Sequence, residues 1–478
     1  MTSIDLRDFI GQLEEVNEIQ EVLGADWNLE IGTITELMSE REGPALLFDR
    51  IKGYLRGYRV VTSLISTPRR LAAALGLPLD IPALDVVRLV KERFETLKPT
   101  APVWVHSGPV EENALEGEEV DLLCFPAPKW HEKDGGRYLG TGCMVIMKDP
   151  DSDWVNVGTY RVQLHDQRTL GVYISPGHQG RWIREQYWAR EQNCPVVVVF
   201  GCHPILWMPS FLALPWGTSE YAVAGGLLGR PAELIRGRYT DLPIPAHAEI
   251  AVEGEIPPVE VESRSEGPFG EWTGYYASGA RNEAVIKVKR VIYRTDPIIL
   301  GAPPLRPPGH AHAPTYLLAA ANIWNELERV GVPDIRGVWQ LRAGSRRYLT
   351  VISIRQRYAG HAKQAAMAAM SGPEGAYHGR FVVVVDDDID PSQTDDVLWA
   401  MATRCDPATS IEIIRDCWST PLDPIIHPDR RARQDFTNSR AVILACKPFS
   451  WYREFPLVNR ASDNLRQAVL KKWQTLFA

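Results

Sequence analysis

The middle of the chain constrains the fold most, because it carries short β-rich segments at close spacing. Between about residues 130 and 300, segments such as PVVVVFG and EAVIKVKRVIYR are separated by glycine, proline and aspartate. Several strands at this spacing predict a barrel or sandwich core. One longer segment, GRWIREQYWAREQN, interrupts the strands and predicts a helix.

The regions on either side alternate helical and strand patterns. Near the start, LRDFIGQLEEV predicts an amphipathic helix and PALLFDRIKGY a strand that enters a turn. Later, FVVVVDDDID predicts a strand buried on both faces of a parallel sheet, and DNLRQAVLKKWQTLFA predicts a last helix whose apolar face docks on a neighbour. Because 478 residues exceed what one hydrophobic core serves, we expect two or three domains.

Composition excludes several classes of protein. The net charge is −8 with both signs interspersed, and no basic tract suits a phosphate backbone, so we expect no binding to nucleic acid. No apolar run reaches the length that spans a bilayer, and the start of the chain does not read as a signal peptide. The seven cysteines include no CxxC pair. We therefore expect a cytoplasmic protein that does not enter a membrane.

The segment EGPFGEWTGYY, residues 266–276, places two glutamates around a turn. Its glycines permit a sharp turn and Pro268 stiffens it, so Glu266 and Glu271 can face one cavity. Two carboxyl groups in one cavity rarely ionise alike: one beside an arginine stays charged, and one in drier surroundings holds a proton. Arg161 is the candidate cation. The alternative is a turn with two solvated glutamates, but the aromatic residues that follow favour a lined pocket.

Three residues far apart in sequence have the chemistry of a divalent-metal site. Asn156 lies in the predicted strand WVNVGTYRVQLHD, His178 opens a predicted helix, and Glu220 lies in the first turn of another. Each also has an ordinary explanation: a surface residue, a helix cap, and a charge that suits the helix dipole. Together they suit Mn²⁺ or Mg²⁺ with open positions for phosphate oxygens. If that strand is fully extended, Arg161 lies roughly 16 Å from Asn156, comparable to the length of flavin mononucleotide (FMN).

The segment APPLRPPGHAHAPTY, residues 302–316, combines proline, glycine and histidine. Such a loop suits the mouth of a site or a domain junction. His310 and His312 could bind a metal, but contact with an aromatic substrate is the simpler hypothesis. The alternative is an exposed, rigid connection.

The chain resembles the UbiD-like decarboxylases, which use prenylated FMN (prFMN). The resemblance runs nearly end to end and rests on the motifs NVGTYRVQ, GTSEYAVAG, EGPFGEWTGY and VVVVDDDIDP. It looks closest to the catalytic subunits of hydroxybenzoate and vanillate decarboxylases and to their heteroaromatic-acid relatives. It implies an N-terminal α/β domain at residues 1–115, a split β-barrel that binds the flavin at residues 116–310, and a C-terminal α/β oligomerisation domain at residues 311–478.

The resemblance also implies roles for particular residues. The implied catalytic set is Arg161, Glu266 and Glu271. The implied ligands of Mn²⁺ or Mg²⁺, with K⁺ close to the last of them, are Asn156, His178 and Glu220. The implied cofactor contacts are Asn156, Gly158, Thr159, Tyr160, Arg161, Gly177, His178, Ser210, Leu212, Glu220 and Arg380. The last of these stands where relatives often have lysine, a change that keeps the charge and alters the geometry.

The implied reaction is a reversible, non-oxidative decarboxylation of an aromatic or heteroaromatic carboxylic acid. The Arg161–Glu266 pair positions the substrate, the flavin takes up the electrons left when CO₂ departs, and protonated Glu271 delivers a proton to the same carbon. A flavin prenyltransferase as cofactor supplier and a homodimer or larger homo-oligomer are also implied.

Two alternatives stay open. One is a non-catalytic or scaffold subunit of a multi-subunit carboxylase, which the retained Arg161, Glu266 and Glu271 argue against. The other is a split-barrel flavin oxidoreductase, which would need a nicotinamide site that no GxGxxG motif after a strand provides.

Overall fold

The computed structural model describes residues 5–212, 214–307 and 314–477. It confirms the predicted fold class, a mixed α/β protein built around several sheets. Among the described residues, every helix is too short or too polar to span a bilayer.

The N-terminal part of the chain forms a small sheet with helices around it. Its helices are α1 (Leu6–Glu15), α2 (Glu30–Glu40), α3 (Pro68–Ala74) and α4 (Ala83–Thr96). Its strands are β1 (Ile19–Leu23), β2 (Ala45–Asp49), β3 (Arg59–Thr62), β4 (Val103–Trp104) and β5 (Asn113–Glu116). The first three pair in the order β1-β2-β3. As the sequence pattern predicts, α1 buries one apolar face, including Phe9 and Leu13.

The central part of the chain is rich in strands. Its strands are β6 (Arg137–Gly140), β7 (Cys143–Lys148), β8 (Val155–Gly158), β9 (Arg161–Asp166), β10 (Thr169–Tyr173), β11 (Cys194–Phe200), β12 (Glu233–Arg236), β13 (Pro243–Pro245), β14 (Ile250–Ile256), β15 (Ser263–Glu266), β16 (Arg281–Tyr293) and β17 (Ile298–Gly301). Its helices are α5 (Gln179–Trp188), α6 (Pro204–Trp207) and α7 (Glu220–Leu228).

Most of these strands belong to one large antiparallel sheet. Its order in the described chain is β6-β9-β10-β16-β14-β11-β7-β8, with β5 and β15 also paired to β16. Strands β13, β12 and β4 form a separate small sheet, and β17 pairs with β3 to complete the N-terminal sheet. Strand β17, which follows the strands of the large sheet in sequence, therefore belongs to the sheet of the N-terminal part.

Both faces of the large sheet are covered, which explains its continuous apolar strands. Along β11, Val196, Val198 and Phe200 enter one hydrophobic cluster. The alternate residues Val197 and Val199 enter a second cluster, which also contains side chains of α1 and α7. Successive side chains of a strand point to opposite faces, so a run of valines supplies two cores at once.

The C-terminal part of the chain forms a second α/β unit. Its helices are α8 (Thr315–Arg329), α9 (His361–Ser371), α10 (Pro373–His378), α11 (Thr394–Arg404), α12 (Pro407–Ser410), α13 (Pro428–Ala432), α14 (Asp463–Lys472) and α15 (Gln474–Phe477). Its strands are β18 (Ile335–Gln340), β19 (Leu349–Ile354), β20 (Phe381–Asp386), β21 (Ile411–Trp418) and β22 (Thr437–Ala445).

The sheet of this unit has the order β18-β19-β20-β22-β21. Strand β20 lies parallel to both of its neighbours, and its four valines are buried, as the continuous apolar run predicts. The apolar side chains of α14, by contrast, are exposed in this chain. The predicted docking of the last helix onto a neighbour stays a prediction.

A buried carboxylate ties α1 to the large sheet. Glu249, which precedes β14, accepts hydrogen bonds from Arg7 Nε at 3.0 Å and Arg7 Nη2 at 2.9 Å. Arg294, beyond the end of β16, donates to it at 3.4 Å, and the backbone N–H of Ile298 donates at 3.2 Å. Burial raises the pKa of Glu249, and the two arginines oppose this effect. Three parts of the chain, namely α1, the residue before β14 and the segment 294–298, thus meet at one carboxylate.

Replacing Glu249 by alanine should destabilise the fold, because it removes the buried carboxylate that Arg7 and Arg294 share and, in the described part of the chain, leaves Arg294 with only its ion pair to Asp5. Loss of one member of a buried ion pair costs about 3–5 kcal/mol, so the urea midpoint should fall clearly. Glu412→Ala is the matched control, since its ion pair with Lys363 is about half exposed and such pairs contribute about 0–1 kcal/mol. Unfolding followed by circular dichroism compares the two. Equal midpoints would show that the Glu249 contacts are dispensable.

Candidate active site

The segment WVNVGTYRVQLHD forms two strands, so the prediction of one continuous strand is wrong. β8 ends at Gly158 and β9 begins at Arg161. β8 pairs with β7, whereas β9 pairs with β6 and β10, toward the other end of the sheet order. At the break, the backbone N–H of Thr159 donates to Ser210 O at 3.0 Å, and its hydroxyl donates to Cys143 O at 3.0 Å. These contacts from distant residues redirect the chain.

Arg161 lies between the two glutamates of the EGPFGE motif. Its Nε and Nη2 donate to the two carboxylate oxygens of Glu266 at 2.7 and 2.8 Å. Its Nη1 donates to Glu271 Oε1 at 2.6 Å. The three side chains are only 9%, 1% and 11% exposed, in that order. The structure therefore places the three residues in one buried array and adds a contact between Arg161 and Glu271 that the sequence did not indicate.

Burial and charge set the proton affinities in this array. Burial raises the pKa of Glu271, and Arg161 only partly opposes the shift. Burial lowers the pKa of Arg161, but Glu271 and Glu266 outweigh it and raise that pKa overall, so the guanidinium stays cationic. Glu271 is thus a carboxyl group with the increased proton affinity that a general acid needs.

The turn between the glutamates is held by a neighbouring segment. The backbone N–H of Gly267 donates to Gln163 Oε1 at 3.2 Å, and that of Gly135 donates to Pro268 O at 2.8 Å. A Cβ atom at Gly135 would lie 1.8 Å from Gly267 O, so only glycine permits this approach. Gly267 itself has φ +79°, a conformation that favours glycine.

Three aromatic residues that the sequence analysis did not select for a role complete the array. Tyr138 donates its hydroxyl to Glu266 Oε1 at 3.1 Å. The rings of Tyr173 and Phe269 lie 4.5 and 5.4 Å from the guanidinium carbon of Arg161, where an aromatic face attracts a cation. Tyr173 stands directly opposite Arg161 in the register of β10 and β9. That register is a tertiary property, so sequence spacing carried no signal for it.

The predicted metal ligands come together around β8. Asn156 lies on β8, His178 caps the N terminus of α5 and Glu220 begins α7, and both helices pack against β8. Asn156 and Glu220 are buried, whereas His178 is exposed. The ring of Tyr160 lies 5.7 Å from that of His178, and its hydroxyl accepts a hydrogen bond from Gly180 N at 3.2 Å.

The donor set at β8 fits a hard divalent cation. Asn156 Nδ2 and Glu220 Oε2 are buried and have no hydrogen-bond partner within residues 5–212, 214–307 and 314–477, and an amide flip would present the asparagine oxygen instead. Burial raises the pKa of Glu220 to about 7, so its charge lacks compensation that a cation would supply. Among the described residues, no group of three or more His, Cys, Asp or Glu side chains could hold a metal ion. The set at β8 does not meet that criterion, because only His178 and Glu220 are of these types and its third member is Asn156.

Other predicted cofactor contacts also lie near β8. Ser210 lies in a short 3₁₀ turn, and its hydroxyl is 2.5 Å from that of Thr159, which follows β8. Leu212 ends the same turn. Gly177, directly before the histidine at the start of α5, has φ +90°. His310 and His312 lie outside the described residues, so their predicted substrate contact stays a prediction.

Two arginines of the C-terminal part act on different parts of the site, and one of them, Arg380, forms an ion pair with buried Asp423. Arg380 lies directly before β20, with its guanidinium carbon 4.3 Å from the ring centre of Tyr348, which in turn lies 5.1 Å from that of Trp272. The ring of Tyr348 therefore lies between Arg380 and Trp272, which is the residue that follows Glu271. The pKa of His178 is lowered first by desolvation from the protein atoms around its ring, although much of the residue's surface is exposed, and second by the charge of Arg347, which the sequence analysis missed.

Comparison with known proteins assigns a class and a family. Family models for the N-terminal, Rift-related and C-terminal domains of 3-octaprenyl-4-hydroxybenzoate carboxy-lyase match residues 10–90, 102–307 and 313–445. With its curated relatives, this match identifies the protein as a carboxy-lyase. The chain belongs to the UbiD family, as the sequence motifs predict.

The curated relatives include decarboxylases of different acids. The chain is 31% identical to the phenolic acid decarboxylase of Bacillus subtilis over 439 residues, which cover 89% of each protein. It is 31% identical to the pyrrole-2-carboxylic acid decarboxylase of Pseudomonas aeruginosa over 446 residues, or 90% of this chain and 89% of the relative.

A solved structure covers the chain almost completely. The UbiD-class enzyme HmfF of Pelotomaculum thermopropionicum, in complex with FMN, matches with a TM-score of 0.86 and 28% identity, over 98% of this chain and 100% of that one. An evolved dimeric form of HmfF was solved with prFMN and matches with a TM-score of 0.81 and 28% identity, over 97% of this chain and 98% of that one.

Gly135→Ala should displace the turn that carries the two glutamates, because its Cβ would meet backbone atoms of Gly267. Overpacking of this kind costs about 1–3 kcal/mol, and we expect a lower urea midpoint together with loss of decarboxylation. Gly279→Ala is the matched control in the same region, since its Cβ would meet nothing within 4 Å. Equal urea midpoints and equal activities in the two variants would show that the close approach of Gly135 to Gly267 does not hold the turn in place.

Proposed function

We propose that the protein catalyses the non-oxidative, reversible decarboxylation of an aromatic or heteroaromatic carboxylic acid with prFMN as cofactor. The named relatives support the substrate class, and the HmfF complexes with FMN and prFMN support the cofactor. The observation that carries the proposal is the buried array in which Arg161 bridges Glu266 and Glu271.

The cofactor would bind beside β8 with its phosphate on a metal ion. Asn156, His178 and Glu220 would hold Mn²⁺ or Mg²⁺, with K⁺ close to Glu220; the unpartnered buried atoms of Asn156 and Glu220 support this placement. Arg380 would reach the phosphate from the C-terminal part. The residues that would line the rest of the cofactor site are Gly158, Thr159, Tyr160, Arg161, Gly177, Ser210 and Leu212. When bound, prFMN supplies a sink for the electrons released as CO₂ departs.

Arg161 would bind the carboxylate of the substrate. Two of its nitrogens hold Glu266, while the third contacts Glu271 through a single hydrogen bond. A substrate carboxylate can take the place of Glu271 on that nitrogen, because both groups are carboxylates and the guanidinium is a strong donor. Glu271 would then lose the positive charge that opposes the effect of burial on its pKa, so its proton affinity would rise further. Substrate binding would thereby prepare the acid.

Protonated Glu271 would then deliver its proton to the carbon that loses CO₂. Its side chain is 11% exposed, which limits competition from water. Ionised Glu271 would remove the same proton in the reverse direction, so one residue serves decarboxylation and carboxylation. Glu266 would remain on Arg161 throughout and hold the guanidinium in place.

The setting of the enzyme is part of the proposal. We place the protein in the cytoplasm, with a flavin prenyltransferase as the source of its cofactor. Domains at residues 1–115, 116–310 and 311–478 would be joined in a homodimer or larger homo-oligomer through the last of them. The exposed apolar side chains Leu465, Val469 and Trp473 of the C-terminal helical segment support such an assembly.

Glu271→Gln keeps the size of the side chain but removes the proton donor. We expect CO₂ release to fall by at least about 100-fold, with flavin content unchanged, after co-expression with a flavin prenyltransferase and a screen of aromatic and heteroaromatic acids. In the unmodified enzyme, turnover should fall as the pH rises through the raised pKa of Glu271, because the donor acts in its protonated form. Retained turnover in Glu271→Gln would remove this residue from the proposed role.

His178→Ala and Glu220→Ala should lower the metal and flavin content of the purified protein, because each removes a proposed ligand. His247→Ala is the matched control: this histidine is partly buried and hydrogen-bonds Glu233, away from β8. Metal analysis and the flavin absorbance report both quantities. Full occupancy in His178→Ala and in Glu220→Ala would contradict the proposed metal site.

A further inference from the structure

Three tryptophans form a contiguous cluster beside β8, and we name Trp154, Trp182 and Trp216 the tryptophan clamp. The ring of Trp216 lies at the centre, 4.2 Å from that of Trp154 and 4.5 Å from that of Trp182. The Trp182 pair is edge-to-face, with an interplanar angle of 85°. Trp182 and Trp216 are 53% and 45% exposed. Filling of a core therefore does not explain the positions of Trp182 and Trp216, whereas Trp154 also packs against a hydrophobic cluster.

Each member of the clamp lies close in sequence to one proposed metal ligand. Trp154 precedes Asn156 by two positions, Trp182 follows His178 by four, and Trp216 precedes Glu220 by four. Trp182 lies in the first turn of α5, whose N-cap residue is His178. A contact that fixes the Trp182 ring therefore also fixes this end of the helix. The clamp thus connects the three separate segments that carry the proposed ligands.

Hydrogen bonds tie the same segments together. Trp154 Nε1 donates to Thr218 O at 3.0 Å, which links the start of β8 to the residues before α7. Gln179 Nε2 donates to Leu214 O at 3.1 Å, which links α5 to the same connection. In the described part of the chain, a hydrogen bond and a ring contact join residues 214–219 to Trp154, directly before β8, and another of each joins them to α5; Trp216 supplies both ring contacts.

We propose that Trp216 is a positioning residue for the metal and cofactor-phosphate site, because it fixes the distances among the segments of Asn156, His178 and Glu220. A metal site needs its ligands held in place before the ion binds. Groups that hydrogen-bond the ligands directly commonly change metal affinity 10–100-fold, and Trp216 acts one contact further out, through the segments that carry the ligands. Trp216 touches neither the ion nor the substrate in this proposal. The inference rests on the proposed metal and cofactor site.

Titration of the purified full-length chain with Mn²⁺ in the presence of FMN tests the proposal, with free Mn²⁺ followed by electron paramagnetic resonance. Trp216→Ala loses both ring contacts and should bind Mn²⁺ about tenfold more weakly. Trp216→Phe keeps an aromatic ring at the centre and should recover most of the affinity. Trp182→Ala loses one contact on an exposed helix face, where alanine favours folding, and should show a smaller loss.

Trp451→Ala is the matched control, since Trp451 is 43% exposed and lies outside the clamp; its Mn²⁺ affinity should equal that of the unmodified chain. Equal affinities in Trp216→Ala, Trp182→Ala and the unmodified chain would overturn the positioning role and leave the metal site standing. Failure of the unmodified chain to bind Mn²⁺ with FMN would overturn the proposed site and the clamp's role with it. A loss in Trp216→Ala that Trp216→Phe does not recover would also overturn the proposal.

Discussion

The pairing of Arg161 with Glu266 is the contact on which the rest of the site depends. It joins β9 to β15, two strands that do not pair directly, and leaves one guanidinium nitrogen for Glu271. The planar fork of arginine makes this uneven sharing possible, whereas a lysine offers a single point of charge. Two carboxyl groups on one turn thereby acquire different surroundings. Tyr138 strengthens the difference, because its hydroxyl donates to Glu266 Oε1 at 3.1 Å and to Gln163 Oε1 at 3.4 Å.

The turn with Glu271 also contacts the C-terminal part of the protein. Ser345 Oγ donates to Thr273 O at 3.4 Å, and Arg431 Nη1 donates to Ala277 O at 2.6 Å. The proposed proton donor is therefore held by the large sheet on one side and by the C-terminal α/β unit on the other. The proposed cofactor contacts divide in the same way, since most lie near β8 and Arg380 precedes β20. Chemistry at this site depends on how the two parts are joined.

Local chemistry predicted much of the fold and the proximity of Glu266 and Glu271 to Arg161, while the role of these residues stays a prediction. The valine runs of β11 and β20 are buried on both faces, and the glycines and proline of EGPFGE do turn Glu266 and Glu271 toward one array. The failures involve contacts between distant segments. The strand predicted through residues 154–166 is interrupted where Thr159 hydrogen-bonds Ser210, which is 51 positions away in sequence. The residues around Thr159 carry no pattern that predicts this contact. The placement of Tyr173 beside Arg161 likewise depends on a contact between strands, the register of β9 and β10.

The protonation of Glu271 is the central claim, and infrared difference spectroscopy against Glu271→Gln tests it most directly. A protonated carboxyl group has a carbonyl band that an ionised carboxylate lacks. Our account predicts such a band in the difference between the unmodified protein and Glu271→Gln, still present above the pH at which exposed glutamates ionise. Bands that both proteins share arise from other buried carboxyl groups, such as Glu220, whose pKa burial also raises, and they cancel in the difference. A difference spectrum without that band would contradict the account.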